Sequence, residues 1–371
     1  MTKPLRVGLI GASVDPSLSW GTRAHIPAIR HLPQFDLTAI CTSRPDTAEA
    51  AARHFGVPLA FCDPDEMAAH PQVDVVAVSV RTPLHGRMVR SALDAGKHVY
   101  CEWPLGSTTA EARETLAQAR RAGVVTMIGL QGRSNETIAH ARDLVAEGFV
   151  GRMISASLKV TQENFGHLET AGNAYTADIR NGADILRIAT GQALEAFCFA
   201  VGEFDELTVV VSRQYDTASI VVSGRVIDKS SPDLVMIAGR LANSADAFVH
   251  IRGGVSPAAA GVRLEINGTD GDLVLTSPGS ANVHRTPLRL AGARRGDVEF
   301  HEIPLPERYA LQPAGFADGP PRYLAHNYLR LASAIRNDEP VVVDFDYAVR
   351  HQELLDLVQT ASDTGMRQTW R

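Results

Sequence analysis

The run Leu5–Ala12, LRVGLIGA, decides how the chain is read. It is apolar enough for a strand buried on both faces, and it stops at Gly11, where a tight turn is possible. The same rhythm then repeats. RAHIPAIRHLP (23–33) carries apolar residues at helical spacing, FDLTAICTS (35–43) reads as a strand, and RPDTAEAAARHFG (44–56) as a helix closed by Gly56. VDVVAVSV (73–80) is apolar almost throughout, HGRMVRSALDAGK (85–97) is helical, and HVYCEW (98–103) is a further strand. The helix TTAEARETLAQARRAG (108–123) and the strand VVTMIGLQ (124–131) complete the series. This alternation predicts βαβ units, a parallel sheet, and ligands at the carboxyl ends of its strands.

From about Arg133 the pattern changes. NETIAHARDLVAEG (135–148) is a helix, and RMISASLKVT (152–161) opens a strand-rich region. Further strands are expected at 206–215, 218–226, 234–242, 246–254, 262–268, 272–278 and VEFHEIPLP (298–306). NGTDGD (267–272) between two alternating segments is a hairpin turn signal. Two helices, within 322–338 and 346–365, end the chain. The expected fold class is α/β: an N-terminal Rossmann doubly wound parallel sheet (1–130), then an α+β domain (131–371) with an open, mostly antiparallel sheet. The terminal helices are free to pack back on the first domain.

The 371 residues are 45% hydrophobic and 21% charged with a net charge of −6, ordinary for a globular protein of two domains and without a basic footprint for nucleic acid. The four cysteines, Cys41, Cys62, Cys101 and Cys198, form no CxxC or His/Cys cluster. Three sit in apolar, strand-like settings and read as reduced thiols, with no metal site expected. No signal peptide and no run of 18 apolar residues is seen, so the expectation is a soluble, cytoplasmic protein with no membrane contact.

Gly11 stands where a dinucleotide fold needs close backbone approach to pyrophosphate. The G-x-G-x-x-G pattern is degraded: Ala12 follows, Ser13 replaces the second glycine, and VDPSLSW intervenes before Gly21. The helix beyond offers its N-terminus to an anion, and Ser17, Ser19 and Trp20 could bond phosphate and cover a cofactor. A plain strand–loop–helix turn is the alternative. At the next strand end, Thr42, Ser43 and Arg44 stand without a carboxylate until Asp46. Two hydroxyls and a guanidinium suit a 2′-phosphate, so NADP is expected over NAD, unless Arg44 merely solvates a helix start. Val80, Thr82 and His85 follow the next long strand and complete the expected cofactor set with Glu102 and Trp103, while His25 reads as packing.

VGLIGAS…AHIPAI, TPLH (82–85), ALDAGKHVYCEWPL (92–105), LVAEGFVG (144–151) and INGTDGDL (266–273) resemble the glucose–fructose oxidoreductase/inositol dehydrogenase/rhizopine-catabolism (Gfo/Idh/MocA) family. GASVDPSLSW, CEWPLG, GLQGRS and NAY…NGADIL are most similar to a branch that includes the yeast galactose-regulon repressor. The resemblance implies hydride transfer between NAD(P) and a sugar or cyclitol carbon, and dimers or tetramers through the second domain's sheet. It also implies a cis bond before Pro104. The branch implies the alternative of a dinucleotide-binding sensor without turnover.

Enzymes of the family carry Glu-Lys-Pro where this chain has Glu102-Trp103-Pro104. Their Asp-x-x-x-His pattern aligns with Ile188 and Gln192. Neither an indole nor an amide carries a proton near neutral pH. Trp103 is expected to stack on substrate or nicotinamide, or else to be a packed interface aromatic, and Glu102 to orient the nicotinamide-side ribose. Gln131 and Arg133 follow the last parallel strand. Arg133 is open to two readings, a carboxylate or sugar clamp or a salt-bridged interdomain residue. HLETAGNAYTADIRNGADIL (167–186) gathers His167, Asn173, Tyr175, Asp178, Arg180 and Asn181. Asn173 and Asn181 suit a hydroxylated ligand, and Tyr175 or His167 is the replacement acid/base by residue type. A water held by Gln131 and Gln192 is a further relay, and an ordinary surface loop is the plain alternative.

Overall fold

The computed structural model describes residues 3–278, 282–311, 316 and 319–370. It divides into two units, residues 1–130 with 311–350, and 131–310 with 351–371. In the first, the strands are β1 (Leu5–Ile10), β2 (Phe35–Cys41), β3 (Leu59–Phe61), β4 (Val75–Val78), β5 (His98–Glu102) and β6 (Thr126–Gly129). They form one parallel sheet in the order β3-β2-β1-β4-β5-β6. Neighbours β1 and β4 belong to opposite windings, which leaves a crevice beyond their carboxyl ends. The helices are α1 (Ile26–His31), α2 (Pro45–Phe55), α3 (Pro64–Ala69), α4 (His85–Asp94) and α5 (Thr109–Ala122). Val75–Val78 and Val99–Cys101 are wholly buried, as a sheet covered on both faces requires.

The second unit begins with α6 (Glu136–Ala146), β7 (Met153–Thr161) and β8 (Leu168–Glu169). A π-helical turn, Ile185–Thr190, leads into α7 (Gly191–Val201). The strands that follow are β9 (Phe204–Ser212), β10 (Thr217–Ile220), β11 (Val226–Asp228), β12 (Leu234–Leu241), β13 (Asp246–Arg252), β14 (Gly261–Gly268), β15 (Gly271–Pro278), β16 (Arg289–Arg294) and β17 (His301–Glu302). Two long helices come last, α8 (Pro320–Asn337) in the first unit and α9 (Phe345–Thr364), before the short β18 (Gln368–Thr369). Nine strands pair as β17-β16-β15-β14-β7-β13-β12-β9-β18, antiparallel except where β7 meets β13; β11-β10-β8 form a small separate sheet.

The NGTDGD hairpin closes β14 on β15, and Asn267 donates to Asp272 across it at 3.0 Å. The strand expected at 218–226 is instead split into β10 and β11 by a turn through Gly224, at φ +66°. The long strand expected at 298–306 shrinks to His301–Glu302, and its Val298 side chain is fully exposed. Cys41 and Cys101 are buried on strands; Cys198, also buried, lies on α7, and Cys62 is exposed. Among the described residues, no helix is long and apolar enough to cross a membrane.

Candidate functional site

The carboxyl ends of β1, β2, β4 and β5 carry the residues expected to meet a nucleotide. Gly11 has φ +104°, and a Cβ there would lie 2.1 Å from the Ser79 carbonyl oxygen. Its N–H donates to the Cys41 carbonyl at 3.0 Å, which ties the turn to the end of β2. Ser19 donates to the Gly11 carbonyl at 2.6 Å and accepts from the Thr22 N–H at 3.1 Å. Its hydroxyl therefore shapes the loop and is not offered to a phosphate, a correction to the expected role. The Ser13 N–H donates to Thr22 Oγ1 at 3.0 Å, and its hydroxyl accepts from the Asp15 N–H at 3.2 Å. Ala12 is buried, and Trp20, half-buried, lies under the Arg23 guanidinium at 5.9 Å from its ring. The helix beyond starts as a π-helical turn, Gly21–His25.

At the end of β2, Thr42 and Thr47 share a 2.7 Å hydroxyl bond. Arg44 is exposed, but its guanidinium forks onto the Asp46 carboxylate at 3.0 and 3.2 Å. Asp46, the first carboxylate after the strand end, lies in the first turn of α2 and is the group that Arg44 holds. That pair is open to solvent, where such bonds are weak and readily exchanged for another anion. Ser43 is exposed beside it.

Past β4, His85 departs from expectation. Its buried ring lies 2.6 Å from the Pro104 carbonyl and 3.0 Å from the Val80 carbonyl. Burial pushes the imidazole below its ordinary range, although both carbonyls and the charges of Glu102 and Glu111 favour the cation. Both ring nitrogens thus face backbone carbonyls, only one of which a neutral ring can bond through its single N–H, and neither nitrogen is turned to a cofactor phosphate. Thr82 is buried and Val80 half-buried.

β5 ends on Glu102, followed by buried Trp103 and a cis bond to Pro104. Glu102 needs room on the β6 side: a Cβ at Gly129 would lie 2.7 Å from its carboxylate. His25 Nε2 lies 3.0 Å from Glu102 Oε1, and His25 Nδ1 lies 2.7 Å from the Tyr328 hydroxyl. Sequence reading takes His25 as packing and gives no sign of Tyr328, which arrives from a helix 303 residues further along the chain.

In the second unit, Gln131 and Gln192 are buried and meet, Gln192 Nε2 donating to Gln131 Oε1 at 3.3 Å. Arg133 is not a free clamp. Its guanidinium is ion-paired to Glu195, which is fully buried on α7, and its N–H donates to the same carboxylate at 3.2 Å. The warning in the sequence is Glu195 itself, an acid lodged in the apolar run Gly191–Val201. Tyr175 is half-buried, and its carbonyl accepts from Asn181 Nδ2 at 2.7 Å, so Asn181 braces this turn. The Asn173 carbonyl accepts from Thr176 Oγ1 at 2.8 Å. His167 is exposed and packs on Tyr215 with ring centres 5.2 Å apart. Among the described residues, no group of three or more His, Cys, Asp or Glu is placed to hold a metal.

A second buried acid lies nearby in the chain. Glu169 accepts from the Phe165 N–H at 2.7 Å through Oε1, while Oε2 is buried without a partner. Burial pushes its carboxyl from 4.5 up to about 7, against the pull of Lys229. A folded-state value above the unfolded one means that stability is fully present below about pH 4.5 and is lost as pH rises towards 7. The loss reaches up to about 3 kcal/mol. Urea unfolding from pH 5 to 8 is expected to show this decline in the wild type and a flatter profile in Glu169→Gln; parallel profiles would contradict it.

A glycine turn at the crossing of a 3-2-1-4-5-6 parallel sheet, with a fixed carboxylate two strands away, defines the NAD-binding Rossmann class of protein. Residues 5–130 match the model of the oxidoreductase family, NAD-binding Rossmann fold (Gfo/Idh/MocA), and residues 137–277 match that of the Gal80p C-terminal domain. The chain is thus similar to the Gfo/Idh/MocA oxidoreductases over residues 5–130 and to Gal80p over residues 137–277. It is 29% identical to the dehydrogenase aclE of Aspergillus oryzae over the whole length of both chains. It is 24% identical to the galactose/lactose metabolism regulatory protein GAL80 of Saccharomyces cerevisiae, over 79% of this chain and 72% of that one. A solved levoglucosan dehydrogenase in complex with NADH and levoglucosan superposes with a TM-score of 0.84 at 22% identity, over 99% of each chain. At that identity the likeness shows the fold.

Proposed function

We propose that the protein is an NADP-dependent oxidoreductase that moves a hydride to or from a CH–OH carbon of a sugar-like or otherwise hydroxylated small molecule. The observation that carries this is the Gly11 turn, where the backbone closes on Ser79 too tightly for any Cβ, beside a β5 end whose carboxylate is held in place. Gly11, Ala12 and Ser13 would face the pyrophosphate, Thr42, Ser43 and Arg44 the 2′-phosphate, and Glu102 the other ribose. The cofactor, once bound, supplies the hydride acceptor or donor; the chain must orient the alcohol and take its proton. Tyr175, His167 or a water on the Gln131–Gln192 pair fills that last role in place of the family's lysine and histidine. Trp103, Asn173 and Asn181 are assigned to the substrate. The reading includes a cytoplasmic setting and a dimer or tetramer built on the nine-stranded sheet, whose outward face carries half-exposed Val210 and Phe248. A monomeric mass in solution would remove the assembly.

A second reading, a dinucleotide-binding sensor without turnover, is favoured by one observation: Trp103 and Gln192 occupy the two positions where proton-carrying groups are expected. The kinship with GAL80 adds to it. Titration with NADPH and NADH, followed by a screen for substrate-dependent change in cofactor absorbance with sugars, cyclitols and hydroxy-aromatics, separates the two. Binding with turnover is the expected result, and binding without turnover turns the conclusion to the sensor. Arg44→Ala is expected to weaken NADPH about tenfold and leave NADH unchanged. Equal affinities for both would sink the NADP assignment.

A further inference from the structure

The end of β5 is held by a buried chain of three groups that no local sequence pattern announces. His25 and Tyr328 are fully enclosed, with Nδ1 of the ring 2.7 Å from the tyrosine hydroxyl and Nε2 3.0 Å from Glu102. Tyr328 stacks on Tyr100 at 5.0 Å between ring centres, and His25 stands edge-on to both at 5.8 and 5.2 Å. Asn327 in turn donates to the Tyr100 hydroxyl at 3.2 Å. Burial, with Tyr100 and Glu102 close by, pushes the Tyr328 hydroxyl far above its ordinary range, so it keeps its proton.

The distances suit a chain of donors in which Tyr328 gives its O–H to Nδ1 and the ring gives an N–H from Nε2 to the Glu102 carboxylate. The opposite tautomer would turn a lone pair on Nε2 towards an anion. A glutamate at a strand end has three rotatable bonds and would otherwise spend ordering entropy on any ligand it met.

Resting on the dinucleotide reading above, we propose that His25 and Tyr328 are positioning residues. They hold the Glu102 carboxylate, by a locked tautomer, as the acceptor for the vicinal hydroxyls of the nicotinamide-side ribose. Neither touches the cofactor; both act through Glu102.

The test uses the full-length protein and two probes, the tighter of NADPH and NADH, and ADP, which reaches only the adenine-side half. His25→Leu is expected to raise the dissociation constant for the whole dinucleotide at least about tenfold, with ADP binding within about twofold of wild type. His25→Gln, which keeps a donor near the position of Nε2, is expected to restore most of the loss. Tyr328→Phe, which frees the tautomer, is expected to cost about threefold to fivefold. In a Glu102→Ala background His25→Leu should add nothing. The proposal is overturned if His25→Leu leaves dinucleotide binding unchanged, weakens ADP equally, or remains additive with Glu102→Ala. Should the leucine variant not fold, Tyr328→Phe decides: dinucleotide binding equal to wild type overturns the proposal. A wild type that binds neither dinucleotide overturns the cofactor reading itself, and this one with it; binding by the wild type with unresponsive variants overturns this one alone.

Discussion

Arg133→Ala is expected to cost the second unit about 3–5 kcal/mol of stability, measured by urea unfolding at pH 7. Glu195 is fully buried on α7, and Arg133 holds its carboxylate through both the guanidinium and the backbone N–H. Removing the arginine strips a carboxylate in a nonpolar helix of its paired charge, the costliest way to break a buried pair. The arginine also lies over the Phe199 ring at 5.0 Å, so its planar group is packed as well as paired. Removing both charges should cost far less, because Arg133→Met with Glu195→Leu strands neither partner. A substrate clamp predicts the reverse pattern: Arg133→Ala would keep the unfolding midpoint and lose ligand binding. An unchanged midpoint would therefore restore the clamp reading.

The first unit was legible because its signals are local. Each parallel strand but β3 is a legible apolar run, each helix of the series but α3 shows its own period, and Gly11 falls where a strand must turn on itself. β3, β8 and β18 went unread because two or three residues cannot display an alternation. β16, RLAGAR, was missed because its glycine and alanines carry little strand preference, and pairing with β15 supplies the order. Site residues divide in the same way. Positions were readable from the strand ends, but partners were not. Arg44 acquired Asp46, Arg133 acquired Glu195, Ser19 was absorbed by the turn it was expected to leave, and His85 was turned to two carbonyls. In each case the partner's position depends on the backbone path, and for Arg133 it favours the salt-bridged reading over the clamp. His25 shows the converse: a histidine among apolar residues reads as packing until Tyr328 and Glu102 are seen at its two nitrogens.

Gly11→Ala tests the turn on which the functional reading stands. A methyl group there meets the Ser79 carbonyl oxygen at 2.1 Å, its carbon at 2.7 Å and Val80 Cγ1 at 3.0 Å. The backbone cannot step aside cheaply, since Gly11 N–H is held by Cys41 and its carbonyl by Ser19. The positive φ contributes about 1–2 kcal/mol and the overlap about 1–3 kcal/mol more, so a loss of roughly 2–5 kcal/mol is expected. Relief of the overlap would push the ends of β1 and β4 apart, and dinucleotide affinity should fall with stability. Gly56→Ala separates the two contributions. That glycine ends α2 at φ +57°, and an added methyl would meet nothing within 4 Å, so it carries the conformational cost without the clash. It should lose about 1 kcal/mol and bind dinucleotide as the wild type does. If the two variants lose equal stability, the contact with Ser79 is not tight, and the crossing of β1 and β4 has lost the feature that marks it as a nucleotide site.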